Sequence, residues 1–233
     1  TFNGMILSHG TSSASRKIAF QKTGSGQLTL AGVVGLQTAS AGGTLSNHVV
    51  DIDVKAGTLV MTANNTTAGS LAVRANATLK MQNASAGTGF TGGNSAMAGN
   101  YTVDAGGKLQ GFRNGTAAFG LGTIILNGGT LAQEQGNWTW ANNIVLGSGE
   151  TSTLESQSSN TGGRCLKIQG TVSGDGNLTF SDTTGGMGID TGFIFTGTNT
   201  LSGTVTIPAG RKVRVGGVPG SSSDTAAGTG GTL

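Results

Sequence analysis

The sequence predicts an all-β protein, folded as a right-handed parallel β-helix of roughly ten coils. Gly accounts for 44 of the 233 residues, whereas charged residues make up only 10%. Short apolar, β-prone segments recur along the chain between turn-forming residues. Similar segments start at Val54, Val73 and Val103, at successive spacings of 19 and 30 residues. A chain that turns this often and repeats one motif is typical of a solenoid.

The repeat unit explains how each coil is built. An apolar residue is followed by two variable residues, then by Gly or Asn, and then by a strand whose apolar residues alternate. Copies start at Val54, Val73, Val103, Leu126 and Ile207. The alternation predicts a short strand with one face inward, and Gly or Asn lets the chain turn with a positive φ. At about 4.8 Å per coil, roughly ten coils predict a rod of about 45–50 Å.

An antiparallel β-sandwich is the alternative fold, because it also has short strands between Gly-rich turns. We favour the solenoid, since a sandwich gives no reason for one motif to return with the same turn residues. Helices are expected to be nearly absent, because Gly interrupts almost every window with helical spacing. Residues 1–233 are predicted to form a single solenoid domain, as a segment or a subunit of a larger assembly.

Charge and hydropathy exclude several classes of partner. The net charge is +3, and no Lys/Arg-rich segment supports nucleic-acid binding. The densest basic group, Arg211, Lys212 and Arg214, is interpreted as a solvated strand face. No stretch approaches the ~20 apolar residues of a transmembrane helix, and the single Cys165 excludes an intramolecular disulfide. The first residues lack a signal peptide and an initiator Met, so the chain is expected to be a processed protein or an excised segment.

Two segments carry a resemblance to a known family. Residues 22–32 read KTGSGQLTLAG, and residues 195–210 read FTGTNTLSGTVTIPAG. They resemble the two halves of the autotransporter-associated β-strand repeat, and residues 53–59 are similar to its closing strand. The resemblance covers residues 17–61 and 168–215 best. It implies a right-handed β-helix in large bacterial surface or secreted proteins, with roles in passenger folding, adhesion or extracellular scaffolding, and it supplies no catalytic residues.

Few residues suggest catalysis or metal binding. Asp51 and Asp53 share one face of a strand, as do the paired carboxylates with which other β-helices hold cations or cleave polysaccharides. No further carboxylate is near them in sequence, so a solvated outer face is the preferred interpretation. Residues 185–190 match the start of a calcium-binding nonapeptide but occur once, and His9 and His48 lie outside any metal-ligand spacing. We therefore expect no enzyme activity, no metal and no cofactor.

Two further patterns suggest binding to sugars or to ice. Trp138 and Trp140 are two residues apart and so share one face of a strand. Exposed, they are candidate glycan contacts, whereas buried they are large core residues. Thr pairs two residues apart occur at Thr198/Thr200 and Thr204/Thr206. Ice-binding solenoids carry such a pair in every coil, whereas here the pairs do not recur coil after coil.

The two ends of the chain suggest how the protein assembles. A solenoid exposes an unpaired row of backbone groups at each end, which natural solenoids usually cap. The motif Gly-Gly-Thr-Leu occurs at residues 42–45 and 128–131 and again at 230–233, so the chain is expected to stop inside its own repeat without a cap. We expect the ends to join head to tail in a filament. The candidate assembly residues are Phe2, Met5, Ile6, Leu7, Thr229, Thr232 and Leu233.

The predicted function is therefore structural, that of a homo-oligomer stacked end to end outside the cell or on a bacterial cell surface. The alternatives are an autotransporter-like passenger or adhesin segment that binds glycans or surfaces, a polysaccharide-cleaving β-helix enzyme, and an ice-binding solenoid. An adhesin should be a monomer with an exposed binding patch. An enzyme should carry clustered Asp, Lys or Arg side chains on adjacent coils.

Overall fold

A computed structural model describes most of the chain. The described residues are 6–8, 16–31, 34–36, 48–62, 69–82, 97–112, 116–134, 138–156, 165–182, 192–209, 213–215, 226–227 and 231–232. Within these ranges the chain forms many short strands and one single-turn helix, α1 (Thr116–Phe119). In chain order the strands are β1 (Ile6–Ser8), β2 (Arg16–Lys22), β3 (Gln27–Leu30), β4 (Val34–Leu36), β5 (His48–Val54), β6 (Gly57–Met61), β7 (Leu71–Val73), β8 (Ala77–Met81), β9 (Tyr101–Asp104), β10 (Lys108–Gly111), β11 (Ile124–Asn127), β12 (Thr130–Gln133), β13 (Trp138–Trp140), β14 (Ile144–Leu146), β15 (Thr151–Ser156), β16 (Cys165–Ile168), β17 (Val172–Gly174), β18 (Asn177–Asp182), β19 (Gly192–Phe195), β20 (Asn199–Leu201), β21 (Val205–Ile207), β22 (Val213–Val215), β23 (Ala226–Ala227) and β24 (Gly231–Thr232).

The strands form two long sheets and one shorter sheet. Sheet 1 has the order β2-β5-β7-β9-β11-β14-β17-β20, and sheet 2 has the order β3-β6-β8-β10-β12-β15-β18-β21-β24. Sheet 3 has the order β13-β16-β19-β22-β23, while β1 pairs with β4. Apart from β21–β24 and β22–β23, the named strands pair in parallel. The alternative of an antiparallel sandwich is therefore wrong.

Along the chain, strands of sheet 1 and sheet 2 alternate, so that each pass adds one strand to both sheets. The all-β, solenoid-like architecture predicted from the repeat is thus confirmed. Each long sheet contains eight parallel strands within the described residues. We call β2 and β3 the first coil, and β20, β21 and β22 the last coil. The larger number of coils predicted from the repeat length stays a prediction for the complete chain.

The corner between sheet 1 and sheet 2 is made by residues with a positive φ. In the described coils before the last one, φ at this corner lies between 59° and 107°. These residues are Gly24, Gly57, Asn76, Gly106, Gly128, Gly149 and Gly174. Left-handed backbone costs a residue with a Cβ about 1–2 kcal/mol, which explains why Gly and Asn occupy the corner. The turn role that the repeat predicts for its Gly and Asn positions is confirmed.

Inward-facing residues stack in rows from coil to coil. One row of sheet 2 consists almost entirely of leucine. Its members are Leu28, Leu59, Leu79, Leu109, Leu131, Leu154 and Phe180. Beyond the first coil each member is fully or almost fully buried. Burial of a Leu side chain contributes about 1.5–3 kcal/mol, so the core is stabilised by repetition of one contact.

Three aromatic side chains fill the core between β9 and β13. Tyr101 contacts Phe119 of α1 edge to face, with ring centroids 5.6 Å apart, and Phe119 contacts Trp140 at 5.0 Å. All three side chains are fully buried. Gly111 leaves room for this cluster, because a Cβ at that position would lie 2.5 Å from the Phe119 ring. The single turn of helix therefore serves to bring Phe119 into the core.

Asparagine side chains connect coils at the corner that precedes sheet 1. The buried Asn142 donates hydrogen bonds from Nδ2 to the carbonyl oxygens of Gly120 (3.0 Å) and Gly122 (2.8 Å). The exposed Asn143 accepts one at Oδ1 from the N–H of Thr171 (3.0 Å). These bonds satisfy turn N–H and C=O groups and fix each corner to its neighbour.

Candidate functional site

The two end coils differ from the rest of the solenoid in how far their core is buried. One inward row of sheet 1 consists of Phe20, Ile52, Leu71, Tyr101, Ile124, Ile144, Val172 and Asn199. The members between Phe20 and Asn199 are at most 1% exposed. Phe20 is only partly buried, and Asn199 is exposed. The row is therefore complete in its middle and incomplete at both ends.

At the first coil, part of the core is accessible. Ile18 and Phe20 of β2 and Leu28 of β3 pack against the buried core but are themselves only partly buried. Among the described strands, none pairs with the outer edge of β2 or of β3. We call this surface, formed by Ile18, Phe20, Leu28 and the two strand edges, the first end. It presents partly exposed apolar side chains beside strand edges that no described strand pairs with.

Lys22 faces inward from β2, two residues after Phe20, and its backbone pairs with that of Val54. Its ammonium donates hydrogen bonds to three carbonyl oxygens, those of Thr23 (2.9 Å), Gly24 (2.7 Å) and Ala56 (3.0 Å). The residue is 6% exposed. A buried cation is tolerated only when it is hydrogen-bonded, and these three acceptors meet that requirement. The first end thus carries one polar position in an otherwise apolar row.

At the last coil, Leu201 of β20 and Val205 of β21 also pack against the core while only partly buried. They line a cavity of about 230 Å³. The other lining residues are Leu178, Phe195, Asn199, Gly203 and Val213. We call this surface, formed by the cavity and the outer edge of β20, the last end. It presents an apolar cavity, whereas the first end presents partly exposed side chains of β2 and β3.

The backbone of β20 directs hydrogen-bonding groups away from the solenoid. Successive residues of a parallel strand bond alternately to the two neighbouring strands. The N–H of Val172 donates to the carbonyl oxygen of Thr198 (3.2 Å), and the N–H of Ser202 donates to that of Gly174 (3.0 Å). The alternation therefore turns the N–H and C=O groups of Asn199 and Leu201 to the outer edge. Within the described residues no strand pairs with this edge.

The tail of the chain covers the other two strands of the last coil. β24 runs antiparallel to β21, with Thr232 opposite Thr206, and β23 runs antiparallel to β22. The motif at residues 230–233 predicted a parallel repeat without a cap, whereas the tail reverses direction. A reversed strand satisfies edge N–H and C=O groups as a parallel one does, without needing a further coil. The last coil is thus open on sheet 1 and partly covered on sheets 2 and 3.

Three of the predicted assembly residues lie within described strands, and Thr232 is one of them, in β24. Ile6 and Leu7 lie in β1, whose backbone pairs with β4. Phe2, Met5, Thr229 and Leu233 lie outside the described residues.

Sequence reasoning missed the side chains that line the two ends. They are Ile18, Phe20, Leu28, Leu201 and Val205. A signal for them was present, because they lie in the first and last segments with the repeat motif, and inward residues lack cover where a stack of repeats stops.

Trp140 is not a glycan contact. Its side chain is fully buried, and its ring packs edge to face on Phe119. Spacing in the sequence places Trp138 and Trp140 on one strand face but does not tell which face points inward. The backbone of Trp138 pairs with Leu166, a fully buried residue, while its side chain lies outside the described part of the chain. The core interpretation of Trp140 is confirmed.

Asp51 and Asp53 lie on the outer face of β5, and each is ion-paired. Asp51 contacts Lys17 at 2.6 Å, and Asp53 contacts Arg74 at 2.8 Å. Arg74 also reaches Asp104 at 3.1 Å, so its guanidinium bridges two carboxylates. The hydrogen bonds from Arg74 to Asp53 and then to Asp104 raise the pKa of Arg74 above its ordinary value. The two aspartates thus tie neighbouring coils together on the solvated side of sheet 1.

Two ion pairs cross the outer face of sheet 2. Lys108 donates to both carboxylate oxygens of Glu155 (2.9 and 3.0 Å), and Lys80 contacts Glu134 at 3.3 Å. Glu155 is 6% exposed, so its charge depends on this partner. The partners are 47 and 54 residues apart in sequence. Only the coil register brings them together, which is why sequence reasoning did not identify them.

A row of threonines runs along the same outer face. Its members, with Lys108 in one coil, are Thr58, Thr78, Lys108, Thr130, Thr153, Thr179 and Thr206. The adjacent outward row is mixed and contains Val60, Lys80, Gln110, Ala132, Glu155 and Ser181. The Thr pairs proposed for ice binding therefore do not recur, although a single row does.

The remaining sequence candidates contribute little to a site. His9 and residues 185–190 lie outside the described ranges, while His48 and Cys165 are the first residues of β5 and β16. In the part of the chain that the structure covers, no three His, Cys, Asp or Glu side chains are close enough to share a metal ion. Of the helical segments described, none has the length and apolar character to cross a membrane.

Comparison with protein-family models, with curated proteins and with solved structures finds no match to this chain. The resemblance to the autotransporter-associated repeat therefore stays an expectation. The two incomplete ends of the solenoid are the strongest candidate functional surfaces among the residues described.

Proposed function

We propose that the protein is a structural β-solenoid that joins other copies of itself through its two ends and so builds a filament. The observation that carries this proposal is the incomplete core of the end coils, with Phe20 and Leu28 at the first end and Leu201 and Val205 at the last end. Such apolar residues are fully buried in the coils between them. Partly exposed core and an open strand edge favour pairing with another chain.

The different shapes of the two ends support head-to-tail joining rather than a symmetric dimer. Partly buried apolar side chains lie at the first end, whereas a cavity of about 230 Å³ opens at the last end. A contact between two different surfaces of identical copies leaves one free surface of each kind. Copies that stack along the solenoid axis can therefore continue to add, and the product is a rod rather than a closed particle.

The finer features of the proposal rest on the sequence and on general rules. The coils are wound right-handed, as nearly all crossover connections between parallel strands are, and the complete chain forms roughly ten of them. The filament lies outside the cell or on a bacterial cell surface, as the resemblance to the autotransporter-associated repeat suggests. A net charge of only +3 leaves little repulsion between stacked copies. The proposal involves no catalytic step, metal or cofactor.

A passenger or adhesin segment is the second candidate function. The tail strands favour it, because β23 and β24 cover two edges of the last coil without needing a second copy. In such a protein the open edge of β20 would be covered by further coils of the same polypeptide. The protein itself would then be a monomer and would contact glycans or surfaces through its outer faces.

Sedimentation velocity over a range of concentrations tests the filament proposal. Leu201→Lys places a charge in the cavity of the last end, where a joint would bury it without a partner. Thr200→Lys is the matched control, because it places the same charge one residue away on an exposed outer position. We expect the unmodified chain and the Thr200→Lys variant to form larger species as concentration rises, and the Leu201→Lys variant to stay monomeric. Circular dichroism checks that both variants fold.

Two results would contradict the proposal. A monomer at every concentration would remove the filament and leave the passenger or adhesin segment. Assembly of the Leu201→Lys variant to the same extent as the control would show that copies associate through another surface.

A further inference from the structure

We infer that the joint forms on sheet 1, where β20 of one copy pairs in parallel with β2 of the next, with Asn199 opposite Phe20 and Leu201 opposite Lys22. The inference rests on the proposed function and names the contact surface and its register. Of the two long sheets, sheet 1 is the one whose described strands are all parallel, so that both of its outer edges could accept a further parallel strand. Sheets 2 and 3 carry β24 and β23 on the last coil.

In this register, the N–H and C=O groups on the outer edge of β20 face those on the outer edge of β2. Asn199 and Leu201 turn their N–H and C=O groups outward from β20. In β2, the carbonyl oxygen of Lys22 accepts from the N–H of Lys55 in the next coil (2.8 Å). By the alternation of a parallel strand, the groups of Gln21 and of every second residue before it then point to the open edge. In a pair of parallel strands, a residue bonds to the two residues that flank its partner. Asn199 opposite Phe20 would therefore bond to the N–H and C=O groups of Ala19 and Gln21, which point to the open edge.

A shift of one residue would abolish this fit. It would place Asn199 opposite Gln21, whose neighbours already bond within their own copy. The same shift would turn the apolar face of one strand toward solvent, because side chains alternate between the two faces. Only shifts by two residues preserve both the hydrogen bonds and the inward face, which leaves few candidate registers.

The corners of the first and the last coil are equal in length. Leu28 follows Phe20 by eight residues in the first coil, and Ile207 follows Asn199 by eight in the last coil. Aligning Phe20 with Asn199 on sheet 1 therefore keeps the two corners in line, while β24 occupies the outer edge of β21 on sheet 2. The joint is thus confined to the edges of β20 and β2 on sheet 1.

The side chains fit the same arrangement. The partly buried Ile18, Phe20 and Leu28 lie where they would cover the cavity bordered by Leu201 and Val205. Lys22 would lie over Leu201, and its ammonium already donates to three carbonyl oxygens. Burial beneath a second copy would therefore not leave an unpaired charge. The joint buries apolar surface from both copies, and the Lys22 ammonium keeps its three acceptors.

Cysteine cross-linking tests the register. Gln21 and Thr200 are exposed outward residues and lie opposite each other in the proposed joint. Neighbouring strands lie about 4.8 Å apart, within the Cα separation that a disulfide spans. In a Cys165→Ser background, which removes the one native thiol, the variant Gln21→Cys/Thr200→Cys should form a ladder of disulfide-linked multimers. Each single variant should give at most a dimer.

The control for register is Ala19→Cys/Thr200→Cys, which places the exposed thiols two residues out of line. The inference predicts little cross-linking in this variant under the same mild oxidation. A ladder from this control, or no ladder from Gln21→Cys/Thr200→Cys while the chain still assembles by sedimentation, would overturn the register and leave the filament standing. A chain that does not assemble at all would overturn the register and the proposed function together.

Discussion

The ammonium of Lys22 lies within 3.0 Å of the carbonyl oxygen of Ala56, in the neighbouring coil. It also bonds to the carbonyls of Thr23 and Gly24 at the corner that follows β2. One inward lysine thus holds the corner of the first coil against the next coil.

Replacing Lys22 should destabilise the first coil. Lys22→Met keeps the length of the side chain but loses three charged hydrogen bonds, so we expect the free energy of unfolding to fall by about 1–3 kcal/mol. Lys55→Met is the control, because Lys55 is exposed at the end of β5, and it should change stability by less than about 0.5 kcal/mol. Urea unfolding followed by circular dichroism measures both values. Equal effects would contradict a structural role for the Lys22 ammonium.

Asn76 is the residue that tests the corner geometry. Its φ is 59°, whereas the equivalent corners carry Gly. Asn76→Ala should lower the free energy of unfolding by about 1 kcal/mol, because Ala tolerates a left-handed backbone poorly. Asn76→Gly should leave stability unchanged or raise it slightly, since Gly adopts this φ without steric cost. A Gly variant less stable than the Ala variant would show that the Asn side chain, and not its backbone, matters at this corner.

Asn142 and Asn143 form a matched pair for the other corner. Asn142→Ala leaves the buried carbonyl groups of Gly120 and Gly122 without their donor, and we expect a loss of about 3 kcal/mol in the free energy of unfolding. Asn143→Ala removes an exposed bond to Thr171 that water can replace, and should cost about 1 kcal/mol or less. Thermal and urea unfolding compare the two. A larger loss for Asn143→Ala would contradict the burial of Asn142.

The burial of Tyr101 leads us to expect a loss of stability at alkaline pH. Its burial raises the pKa of the phenol well above the ordinary value of 10.0. Between the unfolded and the folded pKa, only the unfolded chain loses this proton, so the free energy of unfolding falls as pH rises above about 10. Tyr101 is the one tyrosine of the chain, so tyrosinate absorbance reports on it alone.

Tyr101→Phe is the control for this pH dependence. It should remove part of the alkaline fall in stability. Titration of the phenol in the folded protein with an ordinary midpoint, well before unfolding, would contradict its burial.

Much of the fold could be predicted because the repeat is local. The motif around Val54 and Leu59 shows the strand alternation and the corner at Gly57 within eight residues. What lies between coils could not be predicted, because coil lengths vary and the register between coils is not visible in the sequence. The contact of Lys108 with Glu155 and the threonine row both depend on that register.

Two features were predicted less well than the repeat, each for a physical reason. Alternation places Trp138 and Trp140 on one face without telling which face is inward. The motif at residues 230–233 has the same letters as parallel strands in the middle of the chain, yet β24 pairs antiparallel with β21. Short strands with Gly and Thr can pair in either direction, so the direction is set by the path of the chain rather than by strand composition.

Electron microscopy of the purified chain at rising concentration tests the central claim most directly. If copies continue one another's coils, the images should show unbranched rods of uniform width that lengthen with concentration. Their diffraction should contain a meridional repeat near 4.8 Å, and each copy should add at least about 38 Å, the height of eight coils. Separate particles of constant size at every concentration would contradict end-to-end assembly.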